Sequence, residues 1–271
     1  MCTRASLAAL ALLTSSAVSV PPVTLPVSLR ALTFGSLSPS SPRTYLSASG
    51  SPSLPTFDFL NSEYTVNVSV GSPPSPFRMV LDTAAGNSWL STPGCSDFVQ
   101  SPACMYTAKY SSAGDSAYRP CTGLCLFLMP LTDGNQTLVG ELGNSTFSLG
   151  GLAAPSAAFG MVSELPLPRL SGQAFDGVVG LAFQNGSTVP LLAPPAPLLD
   201  VLVGEGVMAP LFSLFLNRGD TPGAAGKSAW MLGGADAATY STGQLVTLPP
   251  APFWQPVLGL WAVTMDYVFG K

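Results

Sequence analysis

Asp82 is the residue of this 271-residue chain whose surroundings most favour chemistry. It follows the largely apolar run 77–81 and precedes Thr83 and a tight turn of small residues. This layout places a carboxylate at the end of a strand, surrounded by backbone N–H groups, where it can activate a water as a general base. An Asp in an ordinary hairpin turn has the same local sequence. The neighbouring segments must therefore decide between the two interpretations.

From residue 57 onward the chain has the pattern of short β-strands. Apolar residues alternate with polar ones from Tyr64 to Val70, which indicates a half-buried strand. A Gly/Pro turn at 71–76 and the run 77–81 complete a hairpin that ends at Asp82. Further strands are expected at 124–129, 145–149, 177–183, 211–216 and 229–232. Residues 198–203 are expected to form one short helix. Many short strands separated by turn residues predict an all-β sandwich or barrel.

The composition excludes several classes of site. The chain has no histidine, which excludes Ser-His and Cys-His catalysis and any histidine-containing metal site. We expect no metal and no cofactor. The net charge is −4 and there is no basic run, so nucleic acid is not an expected partner. At acid pH the carboxylates become neutral and few basic groups remain to repel one another, which is compatible with an acidic compartment.

Residues 1–20 are predicted to be a secretory signal peptide. Arg4 supplies the positive start, residues 7–13 an apolar core and residues 17–19 a small-residue cleavage site. No later segment is long enough to span a membrane, since the apolar stretch 257–265 is bounded by a proline and an aspartate. We therefore expect a protein that is secreted or lies in the lumen of the secretory or vacuolar pathway.

The cysteines and glycosylation sequons agree with export. Loss of the signal peptide removes Cys2 and leaves four cysteines, which allow three pairings. We favour the two local pairs, Cys95–Cys104 and Cys121–Cys125. A zinc site is the alternative, but the cysteine spacings do not suit one and a secretory route favours disulfides. Sequons for N-glycosylation begin at Asn67, Asn135, Asn144 and Asn185.

Several motifs, taken in order, resemble those of the pepsin-like aspartic proteases. The strand from Glu63 and the turn 71–74 resemble the segment before the first catalytic Asp of that family. Asp82, Thr83 and residues 87–89 resemble the catalytic loop and the strand after it. Residues 175–182 resemble the hydrophobic-hydrophobic-Gly segment that packs beneath this loop in the family.

Further motifs resemble the flap and the start of a second lobe. Residues 121–135 are similar to the approach to the flap in the plant and protist, nepenthesin-like branch. The flap residues implied by this resemblance are Leu131, Thr132, Asp133 and Gly134. Residues 211–216 and 232–236 resemble the crossover between lobes, and residues 249–254 resemble the entry to the second lobe.

The resemblance implies an all-β, bilobal pepsin-like aspartic protease fold in which the second lobe is incomplete. Residues 57–217 would form the N-terminal lobe and residues 218–271 the start of the C-terminal lobe. The Ser/Pro-rich segment 21–56 has no sustained period and is predicted to be a linker or pro-segment.

The resemblance also implies a catalytic pair of carboxylates, one from each lobe. Two carboxylates this close share one proton, so the ionised one activates a water and the protonated one polarises the peptide carbonyl. Asp82 is the first-lobe candidate. Only 17 residues follow Trp254 (271 − 254), and they contain no Asp-Thr-Gly or Asp-Ser-Gly. Asp266, among them, lacks a glycine turn and is interpreted as an ordinary strand or loop residue.

Three residues that should support Asp82 or cover the substrate depart from the family pattern. Ala84 stands where the family has glycine, and its methyl group would push towards the partner carboxylate. Ala85 stands where the family has a Ser or Thr that hydrogen-bonds the catalytic Asp. Leu131, at the flap tyrosine position, can cover a substrate but cannot donate a hydrogen bond. With the second Asp also missing, we expect no hydrolysis by this chain alone, either because the gene model is incomplete or because the protein is degenerate.

Two functions remain open from the sequence. The first is a secreted pepsin-like aspartic endopeptidase, with Asp82 as half of its dyad and a peptide or protein substrate in the cleft. The second is a catalytically inactive protease-like protein that binds a peptide or protein partner. A dimer of two single-Asp chains is disfavoured, because the chain already carries the start of its own second lobe. The incomplete lobe would leave strand edges unpaired, so we also expect poor stability of the isolated chain or association through this lobe.

Overall fold

The computed structural model describes residues 51–59, 63–96, 104, 107–130, 137–165, 175–184, 195–217, 228–240, 248–249, 251 and 259–263. Strands dominate this part of the chain, which confirms the predicted all-β class. The strands are β1 (Ser53–Pro55), β2 (Phe57–Phe59), β3 (Glu63–Val70), β4 (Ser75–Asp82), β5 (Trp89–Ser96), β6 (Arg119–Pro120), β7 (Leu126–Pro130), β8 (Thr137–Leu149), β9 (Leu152–Glu164), β10 (Gly177–Gly180), β11 (Phe212–Phe215) and β12 (Ala229–Leu232). The helices are α1 (Leu198–Gly204) and α2 (Ala237–Tyr240).

The larger sheet closes on itself. Its strands run in the order β2-β3-β4-β10-β5-β9-β8-β6, and β7 pairs with β8. A second pairing joins β3 to β8, with Ser69 opposite Ser148 and Val70 opposite Phe147. The strands from β3 round to β8 therefore form a barrel-like ring, in keeping with the predicted architecture.

Strand β10 lies between two strands that are consecutive in the sequence. It runs parallel to β4, with Gly180 opposite Asp82, and antiparallel to β5, with Val178 opposite Trp89. All four of its residues are buried. A Cβ atom on Gly177 would overlap the carbonyl of Trp89, so glycine is required where β10 enters this narrow space. The prediction of a strand at 177–183 is confirmed for its first four residues.

Two apolar clusters form the core of the described part. The larger one contains Val66, Met79, Leu90, Phe147 and Phe159, each no more than 1% exposed. Helix α1 packs beside β9 and adds its buried leucines to this cluster. The smaller one contains Trp89 at the start of β5, together with Phe127, Val162, Phe175 and Val178. Burial of these side chains supplies most of the free energy that holds the strands in place.

A smaller sheet joins segments from three regions of the sequence. Its strands run in the order β1-β12-β11, with Leu54 of β1 opposite Trp230 of β12. Strand β1 lies at the end of the segment 21–56 predicted to be a linker or pro-segment, and residues 21–50 lie outside the described part. Strands β11 and β12 fall on opposite sides of the predicted lobe boundary at 217/218. This sheet therefore connects the end of the predicted linker with the regions assigned to both lobes.

Strands β8 and β9 differ most from the expectations. The predicted strand 145–149 is the end of a 13-residue strand, and β9, also 13 residues long, has no strand prediction. Its start is rich in alanine, which disfavours strands, and contains Pro155. The pairing shifts register between Ser145 and Phe147, where Ser156 adopts φ 56°. Pro155 is tolerated because it lies at this bulge, where the ladder needs no N–H.

Candidate active site

Asp82 is the last residue of β4, and its side chain is half-buried. The chain then turns through Thr83 and Ala84, which are exposed. The backbone N–H of Ala84 donates a hydrogen bond of 2.8 Å to Asp82 Oδ1. The structure thus shows a carboxylate at a strand end with a turn amide directed at it, as the sequence predicts.

Residues that follow β10 hold the Asp82 loop from one side. The N–H of Leu181 donates to the carbonyl of Asp82 at 2.8 Å, and the N–H of Ala182 donates to the carbonyl of Ala85 at 3.0 Å. A Cβ on Gly180 would lie 2.7 Å from the carbonyl oxygens of Ala85 and Asn87. Glycine is therefore needed at position 180 for the two backbones to approach this closely.

Ser88 belongs to the motif 87–89, but its contacts across the fold are not predicted from the sequence. Its Oγ accepts a hydrogen bond of 3.1 Å from the N–H of Gly180, and its carbonyl accepts one of 2.9 Å from Gly160. Its side chain is 5% exposed. A small hydroxyl residue directly before the apolar strand β5 is the signal that could have drawn attention to it. Ser88 joins β10 to the chain just before β5 and so fixes the far side of the loop.

The two alanines of the loop occupy different environments. Ala84 faces solvent, whereas Ala85 is buried with 4% of its surface exposed. A hydroxyl side chain at position 85 would thus be enclosed within the loop, and alanine leaves that space without a donor. The Asp82 carboxylate accepts its hydrogen bond from the backbone N–H of Ala84.

Asp176, at the start of β10, is a structural carboxylate. Its Oδ2 accepts a hydrogen bond of 2.7 Å from the N–H of Arg78, and its Oδ1 accepts one of 2.6 Å from the N–H of Ala108. The backbones of Asp176 and Arg78 are also joined by a bond of 2.7 Å from the Asp176 N–H to the Arg78 carbonyl. These contacts fix the start of β10 beside β4. They lie at Arg78, four residues before Asp82.

Aromatic residues form a buried apolar cluster around Trp89, the first residue of the strand after the loop. Trp89 is 3% exposed and meets Phe175 edge-on, with ring centroids 6.4 Å apart. Phe127 and Val178 complete the same cluster. The Trp89 Nε1–H is buried and has no hydrogen-bond partner in the part of the chain that the structure describes. Burial of these rings anchors the start of β5, the strand that follows the Asp82 loop.

Several predicted site residues lie outside the described part of the chain. These are the flap residues Leu131, Thr132, Asp133 and Gly134, the sequon residues Asn135 and Asn185, and Asp266. Among described residues, Asn67 is exposed on β3 and Asn144 is half-buried on β8. Their glycosylation stays a prediction.

The four cysteines after residue 20 pair as predicted. Cys95 and Cys104 are joined with Cα atoms 5.8 Å apart, and Cys121 and Cys125 with Cα atoms 5.6 Å apart. The residues that the structure describes contain no cluster of three or more Cys, Asp or Glu side chains able to hold a metal ion. They also contain no helix long and apolar enough to cross a membrane.

The fold and the Asp82 loop define a class of protein, and comparison with known proteins agrees with it. A model of the family described as eukaryotic aspartyl protease matches residues 63–269. The chain is 30% identical over 214 residues to rabbit (Oryctolagus cuniculus) pepsin II-2/3, covering 78% of this chain and 49% of that protein. It is 30% identical over 216 residues to dog (Canis lupus familiaris) pepsin A, covering 78% and 49%. Mouse (Mus musculus) napsin-A is 31% identical over 222 residues, covering 81% and 48%.

The chain therefore belongs to the eukaryotic aspartyl protease family, and its fold is the pepsin-like one. It spans about half the length of the curated relatives that it matches.

Proposed function

We propose that the protein carrying this chain is a secreted aspartic endopeptidase and that Asp82 supplies one carboxylate of its catalytic pair. The observation that carries this proposal is the placement of Asp82. Its carboxylate stands half-buried at the end of β4, in a turn whose backbone is held by Leu181 directly after β10. Preorganised backbone of this kind keeps a reacting group in place without reorganisation during the reaction.

In this proposal the second carboxylate comes from a part of the protein beyond the 271 residues. The pair would share one proton, so that one carboxylate activates the attacking water and the other polarises the peptide carbonyl. The substrate is an extended peptide or protein segment lying over the Asp82 loop. The apolar, small-residue-rich segment 1–20 supports a secretory or vacuolar location.

The test begins with the native transcript, read past the codon for Lys271. The full-length protein is then assayed on a denatured protein substrate at acid pH, beside the variant Asp82→Asn. We expect cleavage by the wild type and a loss of at least about a hundredfold in kcat/KM for the variant, because the neutral amide cannot act as a general base. Glu141→Gln, which neutralises an exposed carboxylate on β8, is the matched control and should leave activity unchanged. Undiminished cleavage by Asp82→Asn would contradict the proposal.

A catalytically inactive, peptide-binding protein is the second candidate, and Ala85 favours it. The buried methyl group of Ala85 takes the place of a hydroxyl that would hydrogen-bond the catalytic Asp in the family. In this case the full-length protein binds denatured substrate saturably and releases it uncleaved. Binding without any cleavage at acid or neutral pH would therefore select this candidate over the first.

A further inference from the structure

We infer that Trp261 is a positioning residue for Asp82, acting through the backbone of Leu181. The inference rests on the proposed function in one respect: the position of Asp82 affects a reaction only if Asp82 takes part in one. The hydrogen bonds and ring contacts of Trp261 do not depend on the proposed function.

A chain of two hydrogen bonds connects the two residues. The Nε1–H of Trp261 donates to the carbonyl of Leu181 at 2.8 Å. The N–H of Leu181 in turn donates to the carbonyl of Asp82 at 2.8 Å. Leu181 is fully buried, so water does not compete for these backbone groups. A displacement of the Trp261 indole is therefore transmitted to the residue that holds the Asp82 backbone.

The indole itself is fixed by neighbours from two other segments. Its centroid lies 4.3 Å from that of Phe183 at 40° and 5.7 Å from that of Phe212 at 84°. The N–H of Phe183 donates to the carbonyl of Gly259 at 3.0 Å, so the backbones of the two segments are joined as well. The segment 259–261 is thus docked on residues 181–183 at two points.

The docking matters because the side chains next to Asp82 in the loop do little to hold the carboxylate. Thr83 and Ala84 are exposed, and Ala85 offers no hydroxyl to the carboxylate. Asp82 is therefore positioned by backbone hydrogen bonds. A catalytic group must be held to within about 0.5 Å of its productive geometry. Trp261 lies in the region predicted to begin the second lobe. Docking of that region would then order the carboxylate of the first lobe.

The test compares Trp261→Phe with the matched control Trp230→Phe in the full-length protein. Both changes remove an indole N–H and keep an aromatic ring. Trp230 is fully buried and its Nε1 has no partner in the described part of the chain, so its loss breaks no hydrogen bond there. Thermal unfolding establishes that each variant folds. If Trp261→Phe fails to fold, Phe212→Leu removes one wall of the indole site and serves as the second probe.

Amide hydrogen exchange gives a readout that is independent of activity. We expect exchange at Leu181 and Ala84 to become about fivefold faster in Trp261→Phe, the factor for loss of one typical hydrogen bond. Exchange at Ala117, which lies in a separate hydrogen-bonded cluster, should not change. Trp230→Phe should leave Leu181 and Ala84 as in the wild type. Unchanged exchange at Leu181 and Ala84 in Trp261→Phe would overturn the inference.

Steady-state kinetics then separate positioning from general stability. We expect kcat to fall about fivefold in Trp261→Phe with KM unchanged, because an interaction that orients a reacting group acts on the transition state. Faster exchange with an unaltered kcat would also overturn the inference. If the wild type does not cleave, the proposed function fails, and exchange at Ala84 alone decides whether Trp261 holds the Asp82 loop.

Discussion

Ser145 donates a hydrogen bond of 2.6 Å from its Oγ to Asp115 Oδ2, across 30 residues of sequence. The same oxygen accepts a bond of 2.7 Å from the hydroxyl of Tyr110. The other oxygen, Oδ1, accepts bonds from the backbone N–H groups of Ser72 at 2.7 Å and Ala117 at 2.8 Å. Asp115 therefore joins the turn after β3, the segment before β6 and strand β8.

These contacts shift the pKa values of the Asp115 carboxyl and the Tyr110 hydroxyl. Burial raises the pKa of the Asp115 carboxyl, but the hydrogen bonds from Ser145, Tyr110 and the two backbone amides outweigh burial and hold the pKa below its usual value. Burial, together with the hydrogen bond to Asp115, raises the pKa of the Tyr110 hydroxyl. Near neutral pH Asp115 is therefore ionised and Tyr110 neutral.

The first prediction concerns stability in acid. Because the pKa of Asp115 is lower in the folded state than its ordinary 3.8, the carboxylate stabilises the fold above that pH and loses its contribution as the pH falls through the folded value. We expect Asp115→Asn to lower the free energy of unfolding by about 1–3 kcal/mol near neutral pH. The difference from the wild type should shrink on acidification. Urea unfolding over a pH series measures it, with the exposed Glu141→Gln as control. A difference that stays constant with pH would count against this account.

The second prediction concerns the close approach at Gly180. A methyl group there meets two backbone carbonyls, neither of which can move away easily, so Gly180→Ala should cost about 3 kcal/mol. The backbone amide hydrogens of the Asp82 loop should also exchange faster in this variant. Gly204→Ala is the matched control, since a Cβ at this position in α1 meets nothing within 4 Å. That control should be neutral or stabilising by up to about 1 kcal/mol. Equal unfolding free energies for both variants would show that the backbone at Gly180 does not lie tightly against the carbonyls of the loop.

The third prediction concerns the disulfides. Mass spectrometry of a non-reduced digest should find Cys95 linked to Cys104 and Cys121 linked to Cys125. Replacing Cys95 and Cys104 by serine should lower the free energy of unfolding by about 2–3 kcal/mol, because the bond closes a loop in the unfolded chain. The second pair closes a shorter loop, with a sequence separation of 4 against 9, so its removal should cost less. A peptide linking one pair to the other would contradict the assignment.

The local pattern of apolar and polar residues predicts many of the strands and the helix around Asp82. The alternation from Tyr64 to Val70 predicts β3, the run before Asp82 predicts β4, and both strands are present. The expected strand at 229–232 is β12, and the expected helix at 198–203 is α1. In each case burial leaves either an alternating pattern or a short continuous apolar run in the sequence. The position of Asp82 at a strand end follows from the same reasoning.

The residues that fix the loop are harder to predict, because their partners are distant. Nothing near residue 177 shows that β10 pairs with both β4 and β5. Ser88, Asp115 and Trp261 are each defined by a bond to a residue far along the chain. A single sequence reports the neighbours of a residue in the chain and not those across the fold, so such contacts leave no local signal.

The insertion of β10 also has a consequence for the order of events during synthesis. Arg78 and Asp176, which are bonded where β10 enters, are 98 residues apart in sequence. Strands β4 and β5 emerge first, yet each must leave an edge open for a strand that is made much later. Contacts this distant are formed slowly, and open edges are prone to wrong pairing. The backbone contacts that hold Asp82 can therefore form only after the ribosome has passed residue 180.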